Sequence, residues 1–89
     1  MSQVHGNPEE MRRFSQALTR FVGSLDGEVK RIDAQARQVG ESWNDAQYQR
    51  FMQDWSQTLT AIKRFINEAP QYAQYVSRKA ADLEQYLQG

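Results

Sequence analysis

The chain has 89 residues, 39% of them hydrophobic, with 11 Lys+Arg balanced by 11 Asp+Glu and no cysteine. That length allows one domain, residues 1–89, with one small core. The missing cysteines exclude a disulfide framework and a thiolate zinc site, and a pI near 6.6 argues against a module that binds nucleic acid by neutralising phosphates.

Apolar runs rarely exceed two residues, so no membrane insertion is expected. The stretch from Met1 to Glu10 lacks a basic region and an apolar core, so no Sec-type signal peptide is expected. Helix formers dominate, and the apolar pattern has no sustained period of two, which predicts an all-α chain.

The first helix is predicted over about 8–39. Asn7 is placed to cap it, Pro8 fits the first helical position, and Glu10 completes a capping-box pattern. Its apolar stripe runs Met11, Phe14, Leu18, Phe21, Leu25, Val29, Ile32, Ala36, Val39, in steps of three and four. Gly40 reads as a left-handed residue closing the helix, and Arg37 suits the dipole of its last turn. Gly23 and Gly27 fall inside this helix at about 1 kcal/mol each relative to alanine. They mark either close approach of another backbone or a tolerated weak point.

A turn over about 40–44 leads to a second helix over about 45–87, starting at Ser42 or Asn44 with Asp45 at the end of a Ser-x-x-Asp capping pattern. Its stripe runs Tyr48, Phe51, Trp55, Leu59, Ile62, Ile66, Ala69, Ala73, Val76, Ala80, Leu83, Leu87, flanked by Phe65, Tyr72, Tyr75 and Tyr86. Pro70 removes a bond to the Ile66 carbonyl, giving either a kinked continuous helix or a break into a third. The apolar phase persists across position 70 and no capping residue precedes it, which favours the kink.

Double four-residue steps at Phe21-Leu25-Val29 and Phe51-Trp55-Leu59 would face each other in a hairpin folded about position 41. Leu25 then lies opposite residue 57, and helix 2 overhangs by about three turns. Two helices cannot enclose stripes this wide. A second hairpin would, giving a dimeric antiparallel four-helix bundle.

Little in the chain resembles a reaction centre. His5 is the one histidine and stands before the first cap, so a zinc site there would need carboxylates gathered from elsewhere and a catalytic triad has no support. Glu9–Arg13, Asp26–Lys30, Asp33–Arg37, Arg50–Asp54, Arg64–Glu68 and Arg78–Asp82 are spaced for pairing on a solvated helix face. No phosphate loop, metal spacing or cofactor signature occurs, so neither a cofactor nor enzymatic activity is expected. Trp55 reads as seam packing, and Trp43 as a cap on the end of the bundle or a partner contact.

At Ser42-Trp43-Asn44-Asp45-Ala46-Gln47-Tyr48-Gln49-Arg50-Phe51 the chain resembles the W-x-G, early-secreted-antigen-like (ESX) superfamily of small helical hairpins. The likeness extends from about Asn7 to Leu87. It implies an antiparallel four-helix bundle, formed with itself as a homodimer or with a sister hairpin. It also implies association with type VII secretion, either by export without a cleaved signal peptide after synthesis in the cytoplasm or as escort of a larger effector. Trp43 carries over as the turn tryptophan. Asp45 stands at the motif's glycine, giving Trp-Asn-Asp as in a divergent subgroup associated with homodimers, and the family's C-terminal Tyr-x-x-x-Asp/Glu is missing. Tyr72 reads to Val76, Tyr75 to Lys79, and Tyr86 runs out of chain.

The expected turn motif is therefore Trp43, Asn44, Asp45 and Phe51. The expected core and dimer contacts are Phe14, Phe21, Leu25, Trp55, Leu59, Ile62, Ile66, Val76, Leu83 and Leu87. An intracellular coiled-coil adaptor that is not exported is the alternative function.

Overall fold

The computed structural model describes residues 6–88; His5 lies outside them. Two helices form an antiparallel hairpin, α1 over Pro8–Val39 and α2 over Ala46–Gln88. Contacts divide into two compact units, one of Met1–Val22 with Glu68–Gly89 and one of Gly23–Asn67.

In the first unit the Asn7 carboxamide oxygen accepts the backbone N–H groups of Glu9 and Glu10 at 2.9 and 3.1 Å, which opens α1. Its seam is made of small residues. Ser15, Val22, Ala69, Ala73 and Ala80 are buried, with Ala80 fully so. Small side chains let the helices approach until the Ser15 hydroxyl donates to the Ala73 carbonyl at 2.7 Å. Arg12 pairs with Glu84, and a β-carbon on Gly6 would lie 3.7 Å from Leu83. α2 passes Pro70 unbroken, so the three-helix alternative does not occur.

In the second unit Val29, Ala36 and Tyr48 are buried, and Leu25, Trp55, Leu59, Ile62 and Ile66 are half-buried. The Trp55 indole N–H donates to Asp33 at 2.9 Å. Asp33–Trp55 and, in the first unit, Ser15–Ala73 are both centred on residue 44.

That centre corrects the fold point expected at 41. Leu25 does not lie opposite residue 57, the paired four-residue steps do not face each other, and the overhang shortens from about three turns to about two, since Pro8 now lies opposite residue 80 and α2 ends at Gln88. Part of that overhang is engaged, through Leu83 beside Gly6 and Glu84 with Arg12. The α1 stripe also turns inward on one flank only: Met11, Leu18, Leu25, Val29 and Ala36 stay buried or half-buried, while the flank of Phe14, Phe21, Ile32 and Val39 faces outward. Ser15 and Val22 are buried, whereas their neighbours Phe14 and Phe21 are 56% and 53% exposed. Leu87 is exposed too, while Val76 and Leu83 are half-buried, so Phe14, Phe21 and Leu87 are not core residues. Seven buried apolar side chains among the described residues cannot cover a stripe that broad, and the flank it leaves is largely aromatic.

Of the six expected charge pairs, Asp26–Lys30 at 3.0 Å and Asp33–Arg37 at 3.1 Å form among the described residues. Glu28–Arg31 adds another at 2.5 Å. Exposed pairs of this kind add at most about 1 kcal/mol each. No helix of the described residues is long and apolar enough to cross a membrane.

Candidate functional site

The turn end lies wholly in the unit Gly23–Asn67. α1 finishes with tight bonds from the N–H groups of Gly40, Glu41 and Ser42 to the carbonyls of Arg37, Gln38 and Val39, at 3.1–3.2 Å. The Trp43 N–H adds a bond to the Val39 carbonyl at 2.8 Å. The Ala36 carbonyl takes the Tyr48 hydroxyl at 2.9 Å. A buried tyrosine of α2 thus caps a carbonyl in the last turn of α1.

This arrangement corrects the expected role of Gly40, which does not adopt a positive φ. A β-carbon there would lie 2.7 Å from Cζ of Tyr48 and 3.1 Å from Cε2. Glycine is needed because the ring occupies that space, not because the backbone turns left-handed.

The start of α2 is corrected as well. Ser42 does not cap it, its hydroxyl lying 3.4 Å from the Val39 carbonyl. Asp45 does, its carboxylate accepting the Tyr48 N–H at 3.0 Å. Glycine and aspartate are both accepted immediately before a helix, and aspartate is the better cap. The third residue of Trp-Asn-Asp thus serves as the cap of α2. Asn44 accepts the Gln49 side-chain amide at 2.6 Å.

Trp43 sits edge-on to Tyr48 with ring centroids 5.2 Å apart, and 39% of it remains exposed. Phe51, 42% exposed, lies parallel to Trp55 at 6.4 Å. Trp43, Phe51, Ile32, Ala36 and Val39 line one open apolar groove of about 310 Å³. The expected turn residues Trp43 and Phe51 thus come together, whereas Asn44 and Asp45 shape the helix start behind them. Ile32, Val39 and Tyr48 belong to the same assembly. Tyr48 was readable as lying three residues beyond the cap; the close approach of its ring to Gly40 left no signal in the pattern.

Two carboxylates are tuned here. The Trp55 indole N–H, then the Arg37 guanidinium, hold Asp33 below the ordinary aspartate range. The Tyr48 backbone N–H, then the Trp43 side chain, do the same for Asp45. A carboxylate whose folded pKa is depressed stabilises the fold above its unfolded pKa of about 3.9, and that stability is lost as pH falls through the folded value. Urea midpoints are therefore expected to stay level from pH 8 to about 5 and to fall below about pH 4. The combined Asp33→Asn and Asp45→Asn variant should show a shallower acid decline; an unchanged slope would remove these two groups from the account.

Two helices joined by a turn that presents a tryptophan, with an apolar groove beside it, define the class of small W-x-G helical hairpins. The family model described as "WXG100: Proteins of 100 residues with WXG" matches residues 3–86, and the chain belongs to that family. Comparison with curated proteins gives no match. Among solved structures, a glycine-to-alanine mutant of EsxB, a secreted protein from Bacillus anthracis str. Sterne, is similar in fold. It has a TM-score of 0.69 at 18% identity, with 94% of this chain and 97% of that chain covered.

Proposed function

We propose that the chain is a non-catalytic interaction module of a type VII (ESX-like) secretion system, made in the cytoplasm and either exported or used as targeting partner for a larger effector. It works paired with a second helical hairpin, through the apolar flank that its own two helices leave open. The observation that carries this reading is the exposed groove of Trp43, Phe51, Ile32 and Val39 in a member of the WXG100 family. Clustered exposed apolar side chains of this kind mark interfaces. The similarity in fold to the secreted protein EsxB supports export.

The test is export from a bacterium carrying such a system, compared with a strain lacking its motor ATPase. The protein is expected outside the first strain only. Trp43→Ala should keep the helical content and lower the exported amount at least tenfold. Equal amounts outside both strains would overturn the reading.

One observation favours the second reading, an intracellular coiled-coil adaptor: Tyr72 is followed four residues on by Val76, and Tyr75 by Lys79, where an acidic residue would complete the export signal. Retention inside both strains, with Trp43→Ala impairing only pairing, would establish it.

A further inference from the structure

The face of α2 that packs against α1 runs on past the start of α1, and from this we infer that the chain's own residues 1–5 cover its end as a strap. The inference stands apart from the pairing reading above. Ala73, Ala80 and Leu87 follow one another at spacings of seven, so they share one face of α2. Ala73 and Ala80 are buried against α1. But α1 begins at Pro8, opposite residue 80, while α2 continues to Gln88. Leu87 is left 59% exposed on that same face, and no described residue covers it.

The chain enters α1 beside this uncovered end. Gly6 lies against both helices, since a β-carbon there would come 2.9 Å from Sδ of Met11 and 3.7 Å from Cδ1 of Leu83. Its φ of 116° is one that glycine adopts readily and other residues do not. The Asn7 carboxamide caps the N–H groups of Glu9 and Glu10, so α1 is not continued backwards through Gly6. The preceding residues leave the axis of α1 next to Leu83, and Leu87 lies only about 6 Å further along α2. An extended chain covers that distance in two residues, at about 3.3 Å each, which brings Val4 onto Leu87.

The composition of the segment suits that place. Val4 turns its apolar side chain to Leu83 and Leu87, while Gln3 and His5 alternate to the solvent side. Tethering favours this occupant over a free one, because a segment two residues from its anchor has an effective concentration of about millimolar or more. A protein that docks on the last two turns of α2 must first displace Val4. The strap is thus a cover over the end of α2.

The test uses the full chain, which lacks cysteine, so Val4→Cys with Leu87→Cys introduces a single pair. Oxidation is expected to link that pair within one chain about tenfold faster than Val4→Cys with Gln85→Cys, whose second position lies on the far side of α2. In the unsubstituted chain, nuclear Overhauser effects are expected between the Val4 and Leu87 methyl groups. A mixture of differently labelled chains shows whether these arise within one chain. Val4→Asp is expected to lower the exchange protection of amides 84–88 about fivefold and to leave that of the unit Gly23–Asn67 unchanged.

Equal linking at positions 87 and 85 would overturn the strap, as would exchange that Val4→Asp leaves unchanged. Links and Overhauser effects found only between chains would overturn it too, making the occupant a second copy.

Discussion

Gly40→Ala is expected to lower stability by about 2–4 kcal/mol. The added carbon would meet the Tyr48 ring, and that ring cannot swing aside as the end of a flexible side chain would. It is buried, its hydroxyl is bound to the Ala36 carbonyl, and its face is flanked by Trp43. Moving it leaves the carbonyl without the hydroxyl and disturbs the tryptophan turn. Gly23→Ala and Gly27→Ala are the controls, since a β-carbon at either meets nothing within 4 Å. Each should be stabilising by up to about 1 kcal/mol from helix propensity alone. Urea denaturation separates the cases, and a Gly40→Ala variant as stable as the parent would refute the packing of Tyr48 against the turn.

Truncation after Tyr75 is expected to destabilise the hairpin itself by at least about 3 kcal/mol. The lost segment contains Ala80, which is fully buried, the half-buried Val76 and Leu83, and Glu84, which pairs with Arg12. Amide hydrogens in the first turns of α1 should lose their exchange protection. With a fold point at 41 the same segment would overhang, and its removal would leave the denaturation midpoint of the hairpin in place. An unchanged midpoint and unchanged protection would therefore refute the register centred on residue 44.

Fold class and the composition of the turn were legible because both rest on local rules. A 3-4 apolar step over thirty residues specifies a helix whatever it packs against, and Asn7 meets free N–H groups whatever follows. Which flank of a wide stripe turns inward is a different question. Phe14 and Phe21 are larger and more apolar than Ser15 and Val22, and by hydrophobicity alone they belong in the core. The structure buries the smaller pair because a seam of alanines on α2 admits only small neighbours, and it leaves the phenylalanines outside. The fold point depends on the same kind of packing, since the offset between the helices follows from contacts such as Ser15–Ala73 and Asp33–Trp55. Gly40 does close α1, which ends at Val39, but the space it vacates is filled by Tyr48, a contact that sequence spacing does not encode. The groove beside Trp43 follows from that same contact.

The bond between Tyr48 and Ala36 also bears on the order in which the hairpin assembles. It closes a loop of 12 residues, Asp33–Trp55 one of 22, and Ser15–Ala73 one of 58. Loop-closure entropy rises with length, so the turn end can form first, and each later pair then closes only the short remaining gap. Substitutions at Tyr48 or Gly40 would then slow folding, whereas those at Ser15 or Ala80 would chiefly hasten unfolding. The alanine-lined end is then the last to close and the first to open, while the end that carries the tryptophan keeps its shape.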